Sequence, residues 1–405
     1  MGNKNQRSGQ KRIGMLYKLL ASGLVAVLVL GVALAVVPEV FPNVGADIAE
    51  RLRAVFGPQP VAMLESISFQ LQDKINSFRS EVDGGQVQIN VSSQLPNNPD
   101  QVSTPAIEPS PTSQSPNIPS AQDIQNPPVN VVTDAPDLGW QAYGPMVQGN
   151  PVMAQAVVKL DPQRPYAAIV LVRIDLSKIQ LHIMPGTLEP PHPAQIKQFI
   201  PNLGAVPLQE QDKLLVAFNG GFRSIHGHYG MTVNDVSLLP PVPGIATLAI
   251  YRDGHVQLGT WGRDINPSAD MLAFRQNCPP LIELGTINPD LSIIDKDAWG
   301  YTNNLDITWR TGLGITQDGH YLIYAVGNGN SAETLAEAFV AAGAYNAMQL
   351  DINQFYAHFY TYQPSDPATS KGFRFTGERL VDQMINNPHL YLTPNERDFF
   401  YITLR

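Results

Sequence analysis

Three polar residues stand at the ends of hydrophobic, strand-like runs, where their side chains could act together on a substrate. Asp351 closes one run, and its carboxylate is the best-placed general acid or base in the chain. Arg310 stands just before another run and offers a planar group with five donors, which suits a phosphate or a carboxylate. Asn219 follows a third run, and Gly220 and Gly221 after it let the backbone approach a ligand closely. The sequence therefore predicts an acid, a cation and an orienting amide in one site.

Each of these residues also has an ordinary structural explanation. An aspartate at the end of a strand is often a cap or turn residue, Asn219 could stabilise its own turn, and Arg310 could belong to a structural ion pair. Glu283, which follows Pro279-Pro280 and precedes Gly285, is the second candidate acid. The sequence alone leaves these alternatives open.

A strand–helix–strand unit is predicted to position Asp351. The strand Tyr321–Val326 is followed by Asn330, which can cap a helix that has Glu333 three positions further on. Gly343 ends this helix, and the next strand ends at Asp351. Short connections between the three elements favour a crossover unit. Ligands tend to bind beside the carboxyl ends of strands in such sheets.

The rest of the C-terminal part is predicted to be rich in strands. Runs of Val, Ile, Leu and Tyr alternate with turn residues at Ala167–Ile174, Ile179–Met184, Leu214–Phe218, Thr247–Tyr251 and His255–Leu258. The first two are predicted to form one hairpin and the last two another. We therefore expect a mixed α/β (α+β) fold: a single strand-rich globular domain over residues 140–405, with a βαβ-like unit near its C-terminus.

An uncharged segment near the N-terminus is predicted to cross a membrane. Residues 19–37 carry no charge, and at about 1.5 Å per residue such a helix approaches the roughly 30 Å hydrocarbon thickness of a bilayer. The basic residues within 1–18 predict a cytoplasmic tail, a single-pass protein of the cell membrane and an extracytoplasmic C-terminal part. Ala33-Leu34-Ala35 also resembles a signal-peptidase site, so a secreted product that begins at Val36 is the alternative.

Amphipathic helices are predicted over residues 45–80 and a disordered linker over residues 90–136. Apolar residues recur at every third or fourth position from Val61 to Phe78, and this stripe needs a partner. The neighbouring helix, a second copy of the chain and the membrane surface are the three candidates. The linker is dominated by Ser, Pro, Asn, Gln and Thr, so it cannot bury enough apolar surface to fold and would hold the domain away from the bilayer.

Composition excludes some partners and leaves one question about metals open. The 405-residue chain has a formal charge of −9 and its globular part shows no concentrated basic face, which argues against nucleic acid. The single cysteine, Cys278, excludes an intrachain disulfide. No cofactor is predicted. His226 and His228 could supply two ligands to a divalent ion, but the sequence places no third, so no metal ligands are assigned.

Short motifs follow one another in a fixed order across residues 150–400. They are Val216-Ala217-Phe218-Asn219-Gly220-Gly221-Phe222, Gly230-Met231, Arg275-Gln276-Asn277, Arg310-Thr311-Gly312-Leu313-Gly314-Ile315, Asp318-Gly319, Glu333 with Leu335-Ala336, Gly343-Ala344 and Leu350-Asp351. In order and spacing they resemble the phosphodiester glycosidase family, which is related to the enzyme that uncovers mannose 6-phosphate and to bacterial exopolysaccharide-associated proteins.

This resemblance implies a hydrolase that acts on glycosyl phosphodiesters or on anionic surface polysaccharide, and the N-terminal segment would tether it to the membrane with the domain outside. Arg310 would hold the anion, Asp351 would act as acid/base or as the electrostatic partner of a developing oxocarbenium ion, and Asn219 would orient the sugar. The residues assigned to substrate binding are Gly220, Gly221, Glu283, Asn328, Asn353 and His358.

The chain departs from the family pattern directly after the acid. Where the family usually has Leu-Asp-Gly-Gly-Gly-Ser, this chain has Leu350-Asp351-Ile352-Asn353-Gln354-Phe355. Glycines there would let backbone N–H groups converge on an anion. Gly327-Asn328-Gly329 likewise stands where an Asp-Gly pair is common. An alternative function therefore stays open: a non-catalytic glycan-binding or envelope-organising protein on the same fold.

Overall fold

The computed structural model describes residues 51–53, 55–82, 138–147, 149–293, 299, 304–365 and 372–405. The predicted tail 1–18, the uncharged segment 19–37 and the linker 90–136 lie outside these residues. Among the residues that are described, no helix is both long enough and apolar enough to cross a membrane.

Strands make up most of the described fold. In chain order they are β1 (Gln141–Val147), β2 (Asn150–Val158), β3 (Ala168–Asp175), β4 (Ile179–Met184), β5 (Leu214–Asn219), β6 (Met231–Val233), β7 (Val236–Leu239), β8 (Ala246–Tyr251), β9 (Val256–Thr260), β10 (Met271–Gln276), β11 (Pro280–Glu283), β12 (Thr286–Ile287), β13 (Thr308–Thr316), β14 (Tyr321–Asn330), β15 (Ala344–Ile352), β16 (Phe359–Pro364), β17 (Phe375–Arg379) and β18 (Phe399–Leu404).

The described residues contain few helices. The α-helices are α1 (Pro58–Val82), α2 (Ile196–Phe199) and α3 (Ala332–Ala341), and short 3₁₀ helices occupy Gln211–Lys213, Ser224–His226 and Pro289–Ser292. The strand-rich single domain is confirmed. The mixed α/β class is corrected to a mostly β fold, because α3 is the one helix of more than four residues that the described chain places between strands.

Three antiparallel sheets bring together strands that are distant in sequence. The first sheet has the order β1-β2-β3-β14-β13-β15-β11-β12, the second has β7-β6-β10-β8-β9 and the third has β17-β16-β5-β18-β4. The strand that ends at Asn219 belongs to the third sheet, and the strands that carry Arg310 and Asp351 are neighbours in the first.

The first sheet is buried on both faces. In β3, Val170, Val172 and Ile174 join the core that also contains side chains of the third sheet. Ile169 and Leu171 point to the other face, into the core that contains α3. Since successive side chains of a strand point to opposite faces, a strand buried on both sides needs an unbroken apolar run, as β3 has from Ala168 to Val172.

The predicted strand–helix–strand unit is confirmed as β14, α3 and β15. Both strands pair antiparallel with β13, which lies between them, so they run parallel to each other. The cap of α3 differs from the prediction: Ser331 accepts the N–H of Thr334 at 3.1 Å, whereas the Asn330 amide donates to the Asn328 carbonyl. Gly343 follows the helix with φ of 80°, a conformation that glycine adopts without strain.

One of the two predicted hairpins is wrong. The two strands form at β3 and β4, but β3 lies in the first sheet and β4 at the edge of the third. A short polar break signals a turn without saying which strands pair, and here the long-range partners β14 and β18 decide. The second hairpin is confirmed, with β8 and β9 joined through Arg252-Asp253-Gly254.

Helix α1 packs against the domain through polar side chains. Asp73 accepts a hydrogen bond from Arg164 Nε at 2.9 Å and another from the Tyr166 hydroxyl. Seven residues earlier, the Ser66 hydroxyl donates to Asp306 at 2.7 Å. The domain is therefore one of the partners of this helix.

The apolar stripe of α1 does not form a buried face. Val61 is buried, but Ile67 is 38% exposed and Phe78 is 65% exposed. The predicted helix is therefore present, and the exposed part of its stripe leaves association with a second copy or with a membrane surface as a prediction.

Candidate active site

Asp351 lies at the end of β15, where the first and third sheets meet. Its backbone N–H donates to the Gly220 carbonyl at 3.1 Å, and its own carbonyl accepts the Thr311 hydroxyl at 2.6 Å. Carboxylate oxygen Oδ1 accepts the N–H of Ile352 at 2.9 Å. These contacts fix the backbone of Asp351 from both sheets and leave Oδ2 for another partner.

That partner is Arg397, a residue that the sequence analysis did not select. Its guanidinium donates to Asp351 Oδ2 at 2.5 Å and to the Gly221 carbonyl at 3.3 Å. The same group lies 4.5 Å from the centre of the Tyr356 ring. Its Nε atom is buried and has no hydrogen-bond partner in the described part of the chain. The ion pair therefore keeps one buried donor that the described residues leave unsatisfied.

Burial shifts the pKa of both charged groups. Burial raises the pKa of Asp351 to about 6, with Arg397 lowering it and Asp398 raising it to smaller extents. For Arg397, burial lowers the pKa, but Asp351 and Tyr356 outweigh that effect and raise the pKa above its ordinary value. Arg397 is thus charged over the whole physiological pH range, whereas Asp351 changes its charge near pH 6.

Asn219 connects the two sheets beside Asp351. Its amide Nδ2 donates to the Thr311 hydroxyl at 2.9 Å, and that hydroxyl in turn binds the Asp351 carbonyl. Its Oδ1 accepts the Tyr324 hydroxyl at 3.1 Å and the N–H of His358 at 3.2 Å. The side chain is buried, and its oxygen and nitrogen both have protein partners. The structure thus places Asn219 next to the acid, with its hydrogen bonds made within the protein.

The two glycines after Asn219 are required by close contacts with protein groups. A β-carbon at Gly220 would collide with the Asp398 carboxylate, and one at Gly221 would come within 2.9 Å of Asn277 Oδ1. Asp398 is itself paired with Arg275, whose Nε donates to it at 2.8 Å, and both side chains are buried. The glycine turn therefore packs against this buried ion pair, directly beside Asp351.

Arg310 is fully buried, and its donors have protein partners. Nε donates to the Asn330 carbonyl at 3.0 Å, and Nη2 donates to the carbonyls of Asn304 and Asp306 at 3.1 and 2.8 Å. Nη1 donates to Gln349 Oε1 at 2.5 Å. The backbone of Arg310 pairs with Ile352, the residue after Asp351. Its guanidinium, however, donates to carbonyl groups of the loop before β13 and of the end of β14.

His358 lies in the same buried region as Arg397. Its Nδ1 is 3.3 Å from the Tyr391 hydroxyl, and its Nε2 is buried without a partner among the described residues. Burial, with a smaller effect of the Arg397 charge, lowers the pKa of His358 to about 3. This imidazole is therefore neutral at ordinary pH, and one of its nitrogens makes no hydrogen bond to the described residues.

The loop after Asp351 keeps one feature of a glycine loop without its glycines. Asn353 has φ of 97°, in the left-handed region that favours glycine, and its side-chain oxygen accepts the N–H of Phe355 at 3.1 Å. Ile352 belongs to the core that contains α3, and the Gln354 amide donates to the Gln383 carbonyl. The large side chains of this loop are therefore engaged by the protein itself.

Two residues assigned to substrate binding lie away from Asp351. Glu283 pairs with Arg263 at 3.0 Å and accepts the Thr260 hydroxyl. Ile282, the residue before Glu283, pairs with Ala347 of β15. Ala347 precedes Asp351 by four residues, so the two positions are about 13 Å apart along the strand.

Asn328 lies two strands away from β15, in β14. Its carbonyl accepts the Asn330 amide, and its Cα is opposite Ala168 of β3. The structure gives its side chain no contact with Asp351.

The structure offers no support for a metal at His226 and His228. Among the described residues, no group of three or more His, Cys, Asp and Glu side chains is placed to hold a metal ion. Burial lowers the pKa of His226 to about 3, and the charges of Arg53, Arg397 and Arg223 lower it further. Three guanidinium groups in this neighbourhood favour an anion over a cation.

Residues 212–351 match the model of a family described as phosphodiester glycosidase. This match confirms the resemblance seen in the sequence motifs. The description of the family agrees with the functional prediction at its coarser level, a glycosidase-type hydrolase. The match ends at Asp351, so Arg397 and Asp398 lie beyond it. The sequence offers one signal for these two residues: an Arg-Asp pair directly before the last strand.

Solved structures are similar to this chain at low sequence identity. The catalytic domain of zebrafish N-acetylglucosamine-1-phosphodiester alpha-N-acetylglucosaminidase, auto-inhibited by its pro-peptide, is 15% identical, with 66% of this chain and 87% of that chain covered and a TM-score of 0.41. A hypothetical protein from Synechocystis is 10% identical, with 64% and 63% covered and a TM-score of 0.35. No curated protein is similar enough to match the chain.

Proposed function

Starting from the phosphodiester glycosidase match over residues 212–351, we propose that this protein hydrolyses glycosyl phosphodiesters or anionic surface polysaccharide at the Asp351–Arg397 pair. The observation that carries the proposal is a buried carboxylate with a pKa of about 6, held 2.5 Å from a guanidinium that keeps a buried donor without a partner. Groups with perturbed pKa values and unused polar atoms cluster at functional sites more often than elsewhere.

The ionised carboxylate of Asp351 suits the role of base or electrostatic partner. In glycosidic cleavage of such a substrate, the bond from the anomeric carbon to the phosphate oxygen breaks, and the phosphate leaves with the electron pair. Water then supplies the new bond to carbon and gives its proton to Asp351. The positive charge that develops on the sugar is stabilised by the same carboxylate before it takes the proton.

Arg397 takes the anion-holding role that the resemblance assigned to Arg310. Its Nε donor is unused in the described chain, whereas the guanidinium of Arg310 donates to the carbonyl groups of Asn304, Asp306 and Asn330 and to Gln349. His358 Nε2 supplies a second unused polar atom close to Arg397. Asn219 acts as a positioning residue, because its amide holds Thr311 against the Asp351 carbonyl.

Hydrolysis by the full chain tests this proposal. The full-length protein is incubated with a panel of glycosyl phosphodiesters, and release of the phosphorylated product is followed for wild type, Asp351→Asn and Arg397→Gln. Both variants are expected to lose activity by about 10²-fold or more, since each removes a charged group from the reacting centre. Asp270→Asn, an exposed carboxylate, is the matched control and keeps wild-type activity.

The same experiment separates the second candidate function, a glycan-binding or envelope-organising protein. The replacement of the glycine loop by Ile352, Gln354 and Phe355 favours this alternative. Turnover at equal rates by wild type and Asp351→Asn would overturn the role of Asp351 in hydrolysis. No turnover on any substrate, together with retention on glycan columns, would overturn hydrolysis and support binding.

We also propose that the domain is held outside the cell membrane by the uncharged segment 19–37. The basic residues within 1–18 and the absence of charge in the segment support this location. Membrane fractionation and protease treatment of intact cells test it. A full-length product that stays with the membrane and is shaved from outside is expected, and a soluble product beginning at Val36 would show cleavage instead.

A further inference from the structure

A cavity lies between the third sheet and the second. Edge strand β4 forms one wall, and side chains of the second sheet, Val233, Ile250 and Leu272, form another. Its volume is about 340 Å³, within the range of about 300–1,000 Å³ that small-molecule sites usually have. None of the side chains that contact Asp351 lines it, so it is separate from the candidate active site.

Amide side chains surround this cavity without being used by the protein. Gln180, Asn202, Gln209 and Asn234 line it, and no hydrogen bond within the described chain engages their amide groups. A primary amide offers two donors and one acceptor with two lone pairs, which matches the hydroxyl groups of a sugar. Four such groups around one cavity give a dense set of neutral hydrogen-bonding partners.

Aromatic rings complete the lining. The His182 ring stacks on Tyr401 with ring centres 4.4 Å apart and an angle of 8° between planes. Phe199, on the short helix α2, also lines the cavity and is 62% exposed. Flat apolar surfaces beside amide groups suit the two kinds of surface that a sugar ring presents, its C–H face and its hydroxyl edge.

The charges of the lining exclude an anion. Among the described residues, no Lys or Arg lines the cavity, and Glu210 is the one charged side chain there. The Glu210 carboxylate accepts the Tyr401 hydroxyl at 2.7 Å. A phosphate placed in this cavity would meet a carboxylate and no cation, in contrast to the Asp351 site with Arg397.

We propose that this cavity binds a neutral carbohydrate, as a second glycan site that is independent of the Asp351 centre. A neutral sugar fits the unused amides, the exposed aromatic ring and the lack of cations together. If the substrate is a polysaccharide, the site would hold an uncharged stretch of the chain while the charged linkage is cleaved elsewhere. Binding at this cavity does not require that hydrolysis occurs.

Titration of the full-length protein with maltose, cellobiose and mannobiose as neutral probes, and with glucose 1-phosphate as the anionic probe, tests the proposal. We expect saturable binding of at least one neutral disaccharide by calorimetry. Phe199→Ala and Gln209→Ala should each weaken it by about fivefold or more, since each removes one contact. Both positions are exposed, so the fold is kept.

Two control variants test whether the sugar binds at this cavity. Leu208→Ala, an exposed neighbour of Gln209 that does not line the cavity, should bind like wild type. Asp351→Asn should also leave neutral-sugar binding unchanged, which separates this site from the proposed hydrolysis. The proposal is overturned if no neutral disaccharide binds or if Phe199→Ala and Gln209→Ala bind like wild type. A peptide of residues 100–125 that binds with the same variant sensitivity, when the sugars do not, would also overturn the proposal and would show instead that the linker occupies this cavity.

Discussion

At Asp351, burial and an ion pair act on one carboxylate in opposite directions. Removal from water favours the protonated form, whereas Arg397 at 2.5 Å favours the ionised form. The balance leaves the pKa at about 6. The folded protein therefore binds this proton more tightly than the unfolded chain does. The contribution of Asp351 to stability is fully present below about pH 4 and is lost as the pH rises through about 6.

The proposed role of the ionised carboxylate predicts an acid limb in the pH profile. Below pH 6, Asp351 is protonated and can neither accept a proton nor stabilise positive charge on the sugar. We expect kcat/KM to fall with decreasing pH by about tenfold per unit, as for one ionisation. Measurements from pH 4.5 to 8 test this, with Asp351→Asn expected to lose the limb. Activity that instead fell as the pH rose above 6 would show that the protonated form is the active one.

For Arg310, the sequence identified a side chain that needs hydrogen-bond acceptors, but it did not identify those acceptors. The sequence shows a guanidinium before a strand, and either a ligand or the backbone can satisfy such a group. The sequence does not show that Arg310 faces the carbonyls of Asn304, Asp306 and Asn330. The position of Arg397 was missed for the reverse reason, because the 46 residues that separate it from Asp351 hide their contact.

A substitution of Arg310 should therefore affect stability first. Burial lowers the pKa of Arg310 to about 10, so the group is still charged at neutral pH. Arg310→Met leaves buried carbonyls without donors and should lower the free energy of unfolding by about 3 kcal/mol or more. Urea unfolding measures this. The control Arg252→Met removes an exposed guanidinium and should change stability by about 0.5 kcal/mol or less. Similar losses for both variants would contradict a structural role for Arg310.

At the scale of elements, local signals located most segments but not their neighbours. Strand, helix and strand at β14, α3 and β15 follow from apolar runs, a cap and a terminating glycine. The partner of β4 does not, because Ile179–Met184 pairs with β18 more than two hundred residues later. The third sheet is built from such distant pairs, so its order could not be predicted from short-range patterns.

The loop after Asp351 contains a backbone conformation that favours glycine, although no glycine stands there. Asn353 has φ of 97°, which side chains with a β-carbon adopt at a cost. Asparagine reduces this cost with a local hydrogen bond, here to the N–H of Phe355. The backbone at this residue therefore has a conformation that glycine would adopt without strain.

Substitutions at Asn353 should follow this conformation. Asn353→Ala keeps the strained φ and loses the side-chain acceptor, so we expect a loss of about 1–2 kcal/mol in the free energy of unfolding. Asn353→Gly loses the acceptor but removes the strain, and should stay within about 0.5 kcal/mol of wild type. Thermal and urea unfolding compare the two. Equal destabilisation by alanine and glycine would show that the hydrogen bond, and not the backbone angle, holds the loop.

At the scale of the whole molecule, the first sheet provides the frame on which the site is assembled. One of its faces packs against the third sheet and the other against α3, so its strands are fixed from both sides. Asp351 stands at the edge of this double layer, where Gly220 of one sheet binds its N–H. This rigid support holds the buried Asp351–Arg397 pair in a fixed geometry.

Helix α1 also packs against the domain, although it lies in sequence before the segment that matches the family model. Its amphipathic pattern was detected from the sequence, but its partner was not, because the contacts are polar and distant. Asp73 reaches Arg164 and Tyr166 from a helix more than eighty residues earlier, across the predicted linker. Helix α1 and the domain are therefore in contact, although the predicted linker separates them in sequence.

This docking predicts that one carboxylate controls the stability of α1. In Asp73→Asn the charged pair with Arg164 is lost, and the amide hydrogens of α1 should exchange faster by about tenfold or more, since local opening then costs less. Hydrogen exchange followed by mass spectrometry measures this. Lys74→Gln changes the exposed neighbour on the same helix and is the control, with no change expected. If α1 instead stays protected in Asp73→Asn, and that protection rises with protein concentration, the helix is held mainly by a second copy of the chain through exposed residues such as Phe78.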